Sequence, residues 1–305
     1  MATTYHRGEL AVQRRAALAE QAGLSLRAIG AVIPPVAAEF LAGQPMVIVG
    51  GTDADGRIWA TQLTGAPGFL RAEDERTLTV AARPGPADPL SGLLAGPARV
   101  GMIAIEPATR RRMRMNGRSV PAGEGLRIEL DQVIANCPKY IQKREHHRPA
   151  PEGPEAGRVP RAVDSAALTE GQQRRIREAD TFFVATASDG GDADASHRGG
   201  NPGFLRVLSP TRLRWPDYAG NAMFLTLGNL ELNPAAGLVV PGWESGSALH
   251  LTGSARTVWD AEQIAAVPGA QRLVEFEIAA VREVTDAAPL RWSAPDFSRF
   301  NPPVA

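Results

Sequence analysis

The segment at residues 196–208, SHRGGNPGFLRVL, combines a histidine, an arginine and three glycines, a composition typical of phosphate-binding loops. Glycine loops of the dinucleotide-binding type follow a strand and open a helix, so that the phosphate lies at the helix N-terminus. Here Pro202 disfavours a helix, and the residues after Gly203 form a short β-prone run that ends at Ser209-Pro210. The pattern therefore predicts an anion site built between two strands.

A second set of cations lies in the run TRRRMRMNG, which ends at Gly117. In a strand, Arg112 and Arg114 would share one face, while Met113 and Met115 would point to the other. Two guanidinium groups on one face could bind an anionic substrate or a cofactor phosphate. A solvated strand edge is the alternative interpretation of the same run.

Composition narrows the class of ligand. Lys and Arg together number 33, as do Asp and Glu, so no overall field attracts nucleic acid or an anionic membrane, and a small molecule is the expected partner. We find no metal-ligand spacing, no Gly-x-Ser-x-Gly motif and no convincing pair of acids. The single Cys137 excludes an internal disulfide and is interpreted as packing in a reducing compartment. With no apolar run long enough for a membrane span or a signal peptide, the expected location is cytoplasmic.

The elements that position these residues are mostly β-strands. The segment ELAVQRRAALAEQAG predicts one N-terminal helix that packs on the core and stops at Gly23. From Pro45 onward, short β-prone runs alternate with turn signals, as in an antiparallel barrel. A Pro/Gly-rich segment then precedes a second helix, which Thr169 and Gln172 could cap, and strand texture resumes after it.

The two halves of the chain repeat each other. TGAPGFLRAEDERTLTV from Thr64 and GGNPGFLRVLSPTRLRW from Gly199 match at seven of seventeen positions with an offset of 135 residues. At this offset Arg198 lies opposite Leu63, so only the second half carries the cation. The sequence therefore predicts a tandem duplication whose second half is the ligand-binding half.

The motifs SHRGGNPGFLRVL, WPDYAGNAMFLTLGNLELNP and a strand ending in LTG resemble those of the pyridoxamine 5′-phosphate oxidase-like flavin-binding family. TRRRMRMNG and ANCPKYIQKR resemble its longer, two-module subgroup. The resemblance implies a mainly β chain of two tandem antiparallel split β-barrels that form an internal pseudo-dimer around FMN. We accordingly expect a first barrel with the N-terminal helix at residues 1–144, a linker at 145–163 and a second barrel at 164–305.

The resemblance also implies which residues contact the flavin. The expected cofactor-binding residues are Ser196, His197, Arg198, Gly199, Asp217, Asn221, Thr226 and Asn229. For the ring or the substrate, the candidates are His197, Arg112, Arg114, Lys139, Tyr140 and Trp243, the last either as turn packing or as a lid. The Arg-Lys pair that binds phosphate in the pyridoxamine phosphate oxidases proper has no counterpart between Ala222 and Asn229, so the vitamin substrate is not implied.

The expected function is that of an FMN-dependent oxidoreductase, which passes hydride or electrons between flavin N5 and a small organic substrate or NAD(P)H. FMN carries its own redox chemistry, and this accounts for the lack of a recognisable set of catalytic side chains. Two alternatives stay open at this point: a deazaflavin-dependent reductase on the same fold, and a non-catalytic flavin- or haem-binding sensor or storage protein. A homodimer of the whole chain is also compatible with the family resemblance.

Overall fold

The computed structural model describes residues 4–135, 138–149 and 158–304. Cys137 and the middle of the predicted linker therefore lie outside the described residues. The first eight strands form one antiparallel sheet: β1 (Ile29–Gly30), β2 (Met46–Thr52), β3 (Ile58–Thr64), β4 (Leu70–Ala72), β5 (Thr77–Val80), β6 (Ala98–Glu106), β7 (Arg111–Ala122) and β8 (Gly125–Ala135).

A short strand β9 (His146–His147) then precedes the second eight-stranded antiparallel sheet. That sheet comprises β10 (Arg161–Ser165), β11 (Thr181–Ala187), β12 (Ala193–Gly199), β13 (Arg206–Ser209), β14 (Arg212–Tyr218), β15 (Ala235–Pro241), β16 (Ala248–Val258) and β17 (Ala270–Thr285). Near the C-terminus, β18 (Arg291–Trp292) pairs with β9.

The two sheets have the same strand order, which confirms the predicted fold of two split-barrel modules. The first runs β3-β2-β6-β7-β8-β5-β4 with β1 beside β8, and the second runs β12-β11-β15-β16-β17-β14-β13 with β10 beside β17. The register repeats as well: Met46 pairs with Thr64, and Thr181 pairs with Gly199, each 135 residues later. As the sequence predicts, Gly199, Gly200 and Gly203 end one strand and lie in the connection to the next.

The described residues form six α-helices around the sheets: α1 (Arg7–Arg15), α2 (Ala19–Ser25), α3 (Pro35–Ala42), α4 (Glu170–Glu178), α5 (Leu225–Leu232) and α6 (Ala261–Ala265). The capping box of α4 is confirmed, with Thr169 and Gln172 bonded reciprocally. The prediction of a single N-terminal helix is wrong, because Ala17 has a φ of 55° and separates α1 from α2. Gly23 lies within α2 and does not end the helix.

Each barrel has its own apolar core, and a third core lies between them. Met46, Ile103 and Phe183 are among the buried residues of this third cluster, which both halves supply. Two glycines allow the backbones to approach: a Cβ on Gly101 of β6 would lie 2.3 Å from the Asp194 Cα on β12. A Cβ on Gly237 of β15 would lie 2.6 Å from the Trp59 Cα on β3. The two contacts are equivalent under the internal repeat, so the barrels pack as an internal pseudo-dimer.

The segment that leaves the first barrel packs on the second. Arg144 Nη2 lies 2.6 Å from Asp180 Oδ2, and both side chains are buried. Gln142 Nε2 donates to the carbonyl oxygens of Tyr140 and Gly200, at 3.1 and 3.2 Å. These contacts hold residues 139–144 along the edge where the two barrels meet.

Candidate functional site

A cavity of about 270 Å³ lies between the barrels. Strand β7 of the first barrel and strand β12 of the second supply its charged walls, and the segment from β14 to α5 supplies another side. Most of the residues proposed from the sequence line it together: Arg112, Arg114, Lys139, Tyr140, His197, Arg198, Gly199, Asp217, Asn221 and Thr226. Met113 and Met115 are buried in the core of the first barrel, as the alternation in β7 predicts.

His197 is held by an arginine from the other barrel. Arg112 Nη1 lies 2.8 Å from His197 Nδ1. Because a guanidinium can only donate, Nδ1 accepts, and the proton of the neutral ring is on Nε2. Burial lowers the pKa of His197 well below its usual value, and the positive charges of Arg112 and Arg198 lower it further. Nε2 is buried and has no hydrogen-bond partner within the described residues, so it offers an unused donor.

Arg114 is the second cation that β7 presents to β12. Its Nη2 donates to Ser196 Oγ and lies 3.6 Å from Asp194 Oδ2. Ser196 Oγ also donates to Asp194 Oδ2 at 3.1 Å and lies 2.9 Å from the hydroxyl of Thr226. Ser196 is fully buried behind the cavity wall, so the structure places it as a support for Arg114 and not at the cavity surface.

Arg198 differs from Arg114 and Arg272 because no described carboxylate lies within ion-pair distance of it. Its Nη1 donates to the His197 carbonyl at 3.1 Å, and its Nε is buried without a partner in the described part of the chain. Burial lowers the pKa of Arg198, and the nearby charge of Asp217 opposes that shift. Asp217 itself pairs with Arg272, whose Nε lies 2.9 Å from its Oδ2.

The described residues that line the cavity carry an excess of positive charge. Arg112, Arg114, Lys139, Arg198 and Arg272 line it, against the single carboxylate of Asp217. The chain as a whole has a formal net charge of zero. Positive charge is therefore in local excess at this site, where it favours an anionic ligand.

Three residues with left-handed backbone line the same cavity. Tyr140, Ala222 and Phe224 have φ angles of 67°, 60° and 59°. Such conformations cost about 1–3 kcal/mol each and cluster at ligand sites, where surrounding contacts enforce them. The Tyr140 hydroxyl donates to the Ala219 carbonyl at 3.0 Å. The Tyr140 carbonyl oxygen packs against the backbone of Gly199, where an added Cβ would lie only 2.0 Å from that oxygen. Gly199 is therefore required for the close approach of these two segments.

Besides Ser196, two of the proposed residues do not line the cavity. Trp243 packs edge-on against Trp292 with 5.3 Å between ring centroids, and the Arg144 guanidinium lies over its ring. It packs against the third core and does not line the cavity, as a lid would. Asn229 lines a smaller neighbouring cavity of about 160 Å³ and bonds to His6 and Thr186.

The sequence reasoning missed several lining residues, among them Leu18, Gln21, Tyr218, Phe224 and Arg272. Tyr218 and Phe224 both lie within the quoted motif WPDYAGNAMFLTLGNLELNP, so the motif was an available signal for them. Arg272 lies on β17 and reaches the cavity only because it pairs with Asp217 in the register of β14 and β17. Leu18 and Gln21 come from the N-terminal helices, to which the sequence assigns only packing.

The equivalent positions on the other side of the barrel interface, on β3 and β16, carry no such set of cations. On β7, Arg112 and Arg114 pair with Ile105 and Ile103 of the neighbouring strand β6. The corresponding pairs of the second sheet join Ala248 and His250 of β16 to Pro241 and Val239 of β15. Under the repeat, Ala248 and His250 therefore occupy the positions of Arg112 and Arg114. The Leu63 side chain is buried in the first core, and His250 Nδ1 bonds to the Ala60 carbonyl at 2.8 Å. The difference between the two sites therefore involves both of their strands: Arg198 of β12 corresponds to the apolar Leu63 of β3, and the arginines of β7 correspond to Ala248 and His250 of β16.

The described residues contain no group of three or more His, Cys, Asp or Glu side chains arranged to hold a metal ion. None of the helices in that part of the chain is long and apolar enough to cross a membrane.

Comparison with known proteins gives one family match. Residues 168–291 match the family model of pyridoxamine 5′-phosphate oxidase. Among solved structures, a putative pyridoxamine 5′-phosphate oxidase from Lactobacillus delbrueckii is 19% identical, with a TM-score of 0.34 over 39% of this chain and 97% of its own. HupZ from Group A Streptococcus is 11% identical (TM-score 0.32, 38% and 98% covered), and the FAD binding protein from Mycobacterium smegmatis is 13% identical (0.29, 40% and 98%). No curated protein matches the chain.

Proposed function

We propose, from the match of residues 168–291 to the family model of pyridoxamine 5′-phosphate oxidase, that this chain binds FMN between its two barrels and acts as an FMN-dependent oxidoreductase. The observation that carries the proposal is the cation-rich cavity between β7 and β12, with two buried donors that lack partners in the described residues. Buried polar groups are normally satisfied, so these donors favour a ligand with acceptor atoms.

The residues present fit FMN in charge and in surface. Arg198 would bind a negative or acceptor group of FMN, either its phosphate or the N1–C2 edge of its ring. Arg112 and Lys139 add positive charge from the first barrel, and the rings of Tyr218 and Phe224 give the cavity an aromatic side. The phosphate contacts would thus come from β12 and from the first barrel, which compensates for the missing Arg-Lys pair after Ala222.

When bound, FMN supplies the redox chemistry, and the chain binds, orients and shields it. Neutral His197 would donate from Nε2, because Arg112 holds its Nδ1 as an acceptor. The buried set of Arg114, Ser196 and Asp194 would fix the position of β7 relative to β12. The electron donor or acceptor would be a small organic substrate or NAD(P)H, entering from the open side of the cavity.

Titration of the apoprotein with FMN tests the binding step. We expect a perturbed flavin absorbance spectrum and a weakening of about 10- to 100-fold in Arg198→Ala, because charge-assisted hydrogen bonds contribute about 1.5–3 kcal/mol. Arg177→Ala is the matched control, since Arg177 is exposed on α4 and bonds only to Gln173 among the described residues. No spectral change with FMN, or equal affinity in Arg198→Ala and Arg177→Ala, would contradict the assignment.

Catalysis is tested separately on the FMN-loaded protein. Under anaerobic conditions, addition of NADH or NADPH should bleach the flavin absorbance, and air should restore it. A protein that binds FMN but is reduced by neither nicotinamide would limit the proposal to small organic substrates. A haem Soret band in the purified protein, with no response to FMN, would favour a haem-binding protein.

A further inference from the structure

The N-terminal arm, residues 5–28, packs on the second barrel although it precedes the first. Leu18 and Gln21 of this arm line the cavity between the barrels. We propose that the arm is part of the ligand site, and that its docking on α5 positions the cavity loop at residues 219–225. The inference rests on the proposed function only in naming FMN as the ligand.

The arm docks through a close contact between two glycines. A Cβ on Gly8 would lie 2.1 Å from the Gly228 carbonyl oxygen, and a Cβ on Gly228 would lie 2.6 Å from the Glu9 amide nitrogen. The backbones of α1 and α5 therefore meet with no side chain between them. Such a crossing tolerates no larger residue unless the two helices separate.

His6 fixes the arm at the same crossing. Its Nδ1 accepts from the Gly8 amide at 3.1 Å and so caps α1. Its Nε2 must then donate, and the acceptor is Asn229 Oδ1 on α5 at 3.0 Å. Asn229 in turn donates to Thr186 Oγ1 on β11, so one chain of hydrogen bonds joins the cap of α1 to the second sheet.

Two further bonds connect the arm directly to the cavity loop. Gln13 Nε2 donates to the Met223 carbonyl at 3.2 Å, and Ser25 Oγ donates to the Asn221 carbonyl at 2.6 Å. The two carbonyls lie on either side of Ala222, and Phe224 comes directly after Met223. Ala222 and Phe224 both have left-handed backbone conformations. Strained conformations persist where surrounding contacts enforce them, and here two of those contacts come from the arm.

The loop held in this way carries part of the ligand surface. Asn221, Phe224 and Leu225 all line the cavity, and Leu225 begins α5. Loss of arm docking would release the loop and also remove the wall that Leu18 supplies. The arm should therefore affect ligand binding even though its first helix lies outside the cavity.

Gly8→Ala tests the proposal, with Gly23→Ala as the matched control on the same arm. A Cβ on Gly23 meets nothing within 4 Å, so Gly23→Ala changes helix composition without a clash. We expect Gly8→Ala to weaken FMN binding at least about tenfold and to alter the absorbance spectrum of bound FMN, whereas Gly23→Ala changes neither. Wild-type affinity and spectrum in Gly8→Ala would overturn the proposal.

A milder variant covers the case in which Gly8→Ala does not fold. Ser25→Ala removes one bond to the loop, and we expect about two- to tenfold weaker FMN binding. Hydrogen exchange of residues 219–225, measured without FMN, should be faster in both variants and unchanged in Gly23→Ala. If wild-type protein fails to bind FMN, the proposed function fails, while the exchange rates still decide whether the arm positions the loop. Unchanged exchange in Gly8→Ala or Ser25→Ala would refute the positioning role.

Discussion

Replacement of Gly101 by alanine should damage the ligand site from the interface between the barrels. The added Cβ would lie 2.3 Å from the Asp194 Cα, whereas ordinary contacts begin at 3.4 Å, so β6 and β12 would have to separate by about 1 Å. Overpacking of this kind costs about 1–3 kcal/mol, and each kcal/mol lowers Tm by about 2–4 °C in chains somewhat smaller than this one. Asp194 also accepts from Ser196, so the shift disturbs the contact to Arg114.

Two variants separate this mechanism from a general loss of stability. Gly92→Ala is the control, because a Cβ there meets nothing within 4 Å. Gly237→Ala creates the equivalent clash on the other side, against Ile58 and Trp59. Thermal unfolding and FMN titration would be measured for all three variants.

We expect Gly101→Ala and Gly237→Ala to lower Tm by similar amounts. FMN affinity should fall about tenfold or more in Gly101→Ala, since a 1 Å misplacement in a binding site has effects of that order or larger. It should stay within about threefold in Gly237→Ala, because distant sites contribute independently. Equal losses of affinity in both variants would refute the idea that the ligand lies on the β7–β12 side.

Three other predictions test single features. Asp180→Asn breaks the buried ion pair with Arg144 and should lower the free energy of unfolding, measured in urea, by about 3–5 kcal/mol. The control Asp164→Asn breaks an exposed pair with Arg282 and should lower it by about 1 kcal/mol or less. Equal losses in the two variants would contradict the burial argument. Burial raises the pKa of Glu9 from its ordinary value of 4.5 to about 8, with nearby Asp194 adding to it, so the folded state keeps a proton that the unfolded state loses, and stability falls as pH rises from about 4.5 to about 8. Glu9→Gln should therefore flatten the fall in Tm between about pH 5 and 8, and an unchanged slope would disprove this. Titration should give one FMN per chain, and a ratio near two would show that the first barrel keeps a site.

The fold could be predicted from the sequence because the repeat contains information that single elements lack. The offset of 135 residues places Thr64 and Gly199 at equivalent strand ends, and the pairing with Met46 and Thr181 confirms it. Both copies obey one topology, so each ambiguous run is constrained by its counterpart. The break at Ala17 has no such counterpart, and its left-handed backbone is not favoured by the residue type.

The site could be predicted only where its residues follow one another on one strand. Alternation along β7 is enough to place Arg112 and Arg114 on one face, since successive side chains in a strand point to opposite faces. His197 and Arg198 are consecutive on β12, so alternation alone does not predict that both line the cavity, and they came from the family resemblance. Arg272 and Gln21 reach the cavity through tertiary contacts, in one case sheet register and in the other the docking of α1 on α5. Neither contact leaves a local pattern, so the sequence analysis assigned neither residue to the site.

Because of the internal repeat, the packing between the two barrels is symmetric, although the cations line a cavity on one side of it. The close contacts of Gly101 and Gly237 are retained on both sides, because each is needed to bring the barrels together. The ligand-facing positions have diverged: Arg114 lies opposite Ser196, while its counterpart His250 bonds to the backbone of Ala60. In a symmetric homodimer both sites would have to change together. A covalently joined pair lets one interface lose its cations and pack, while the other keeps buried donors, His197 Nε2 and Arg198 Nε, that have no partner within the described residues.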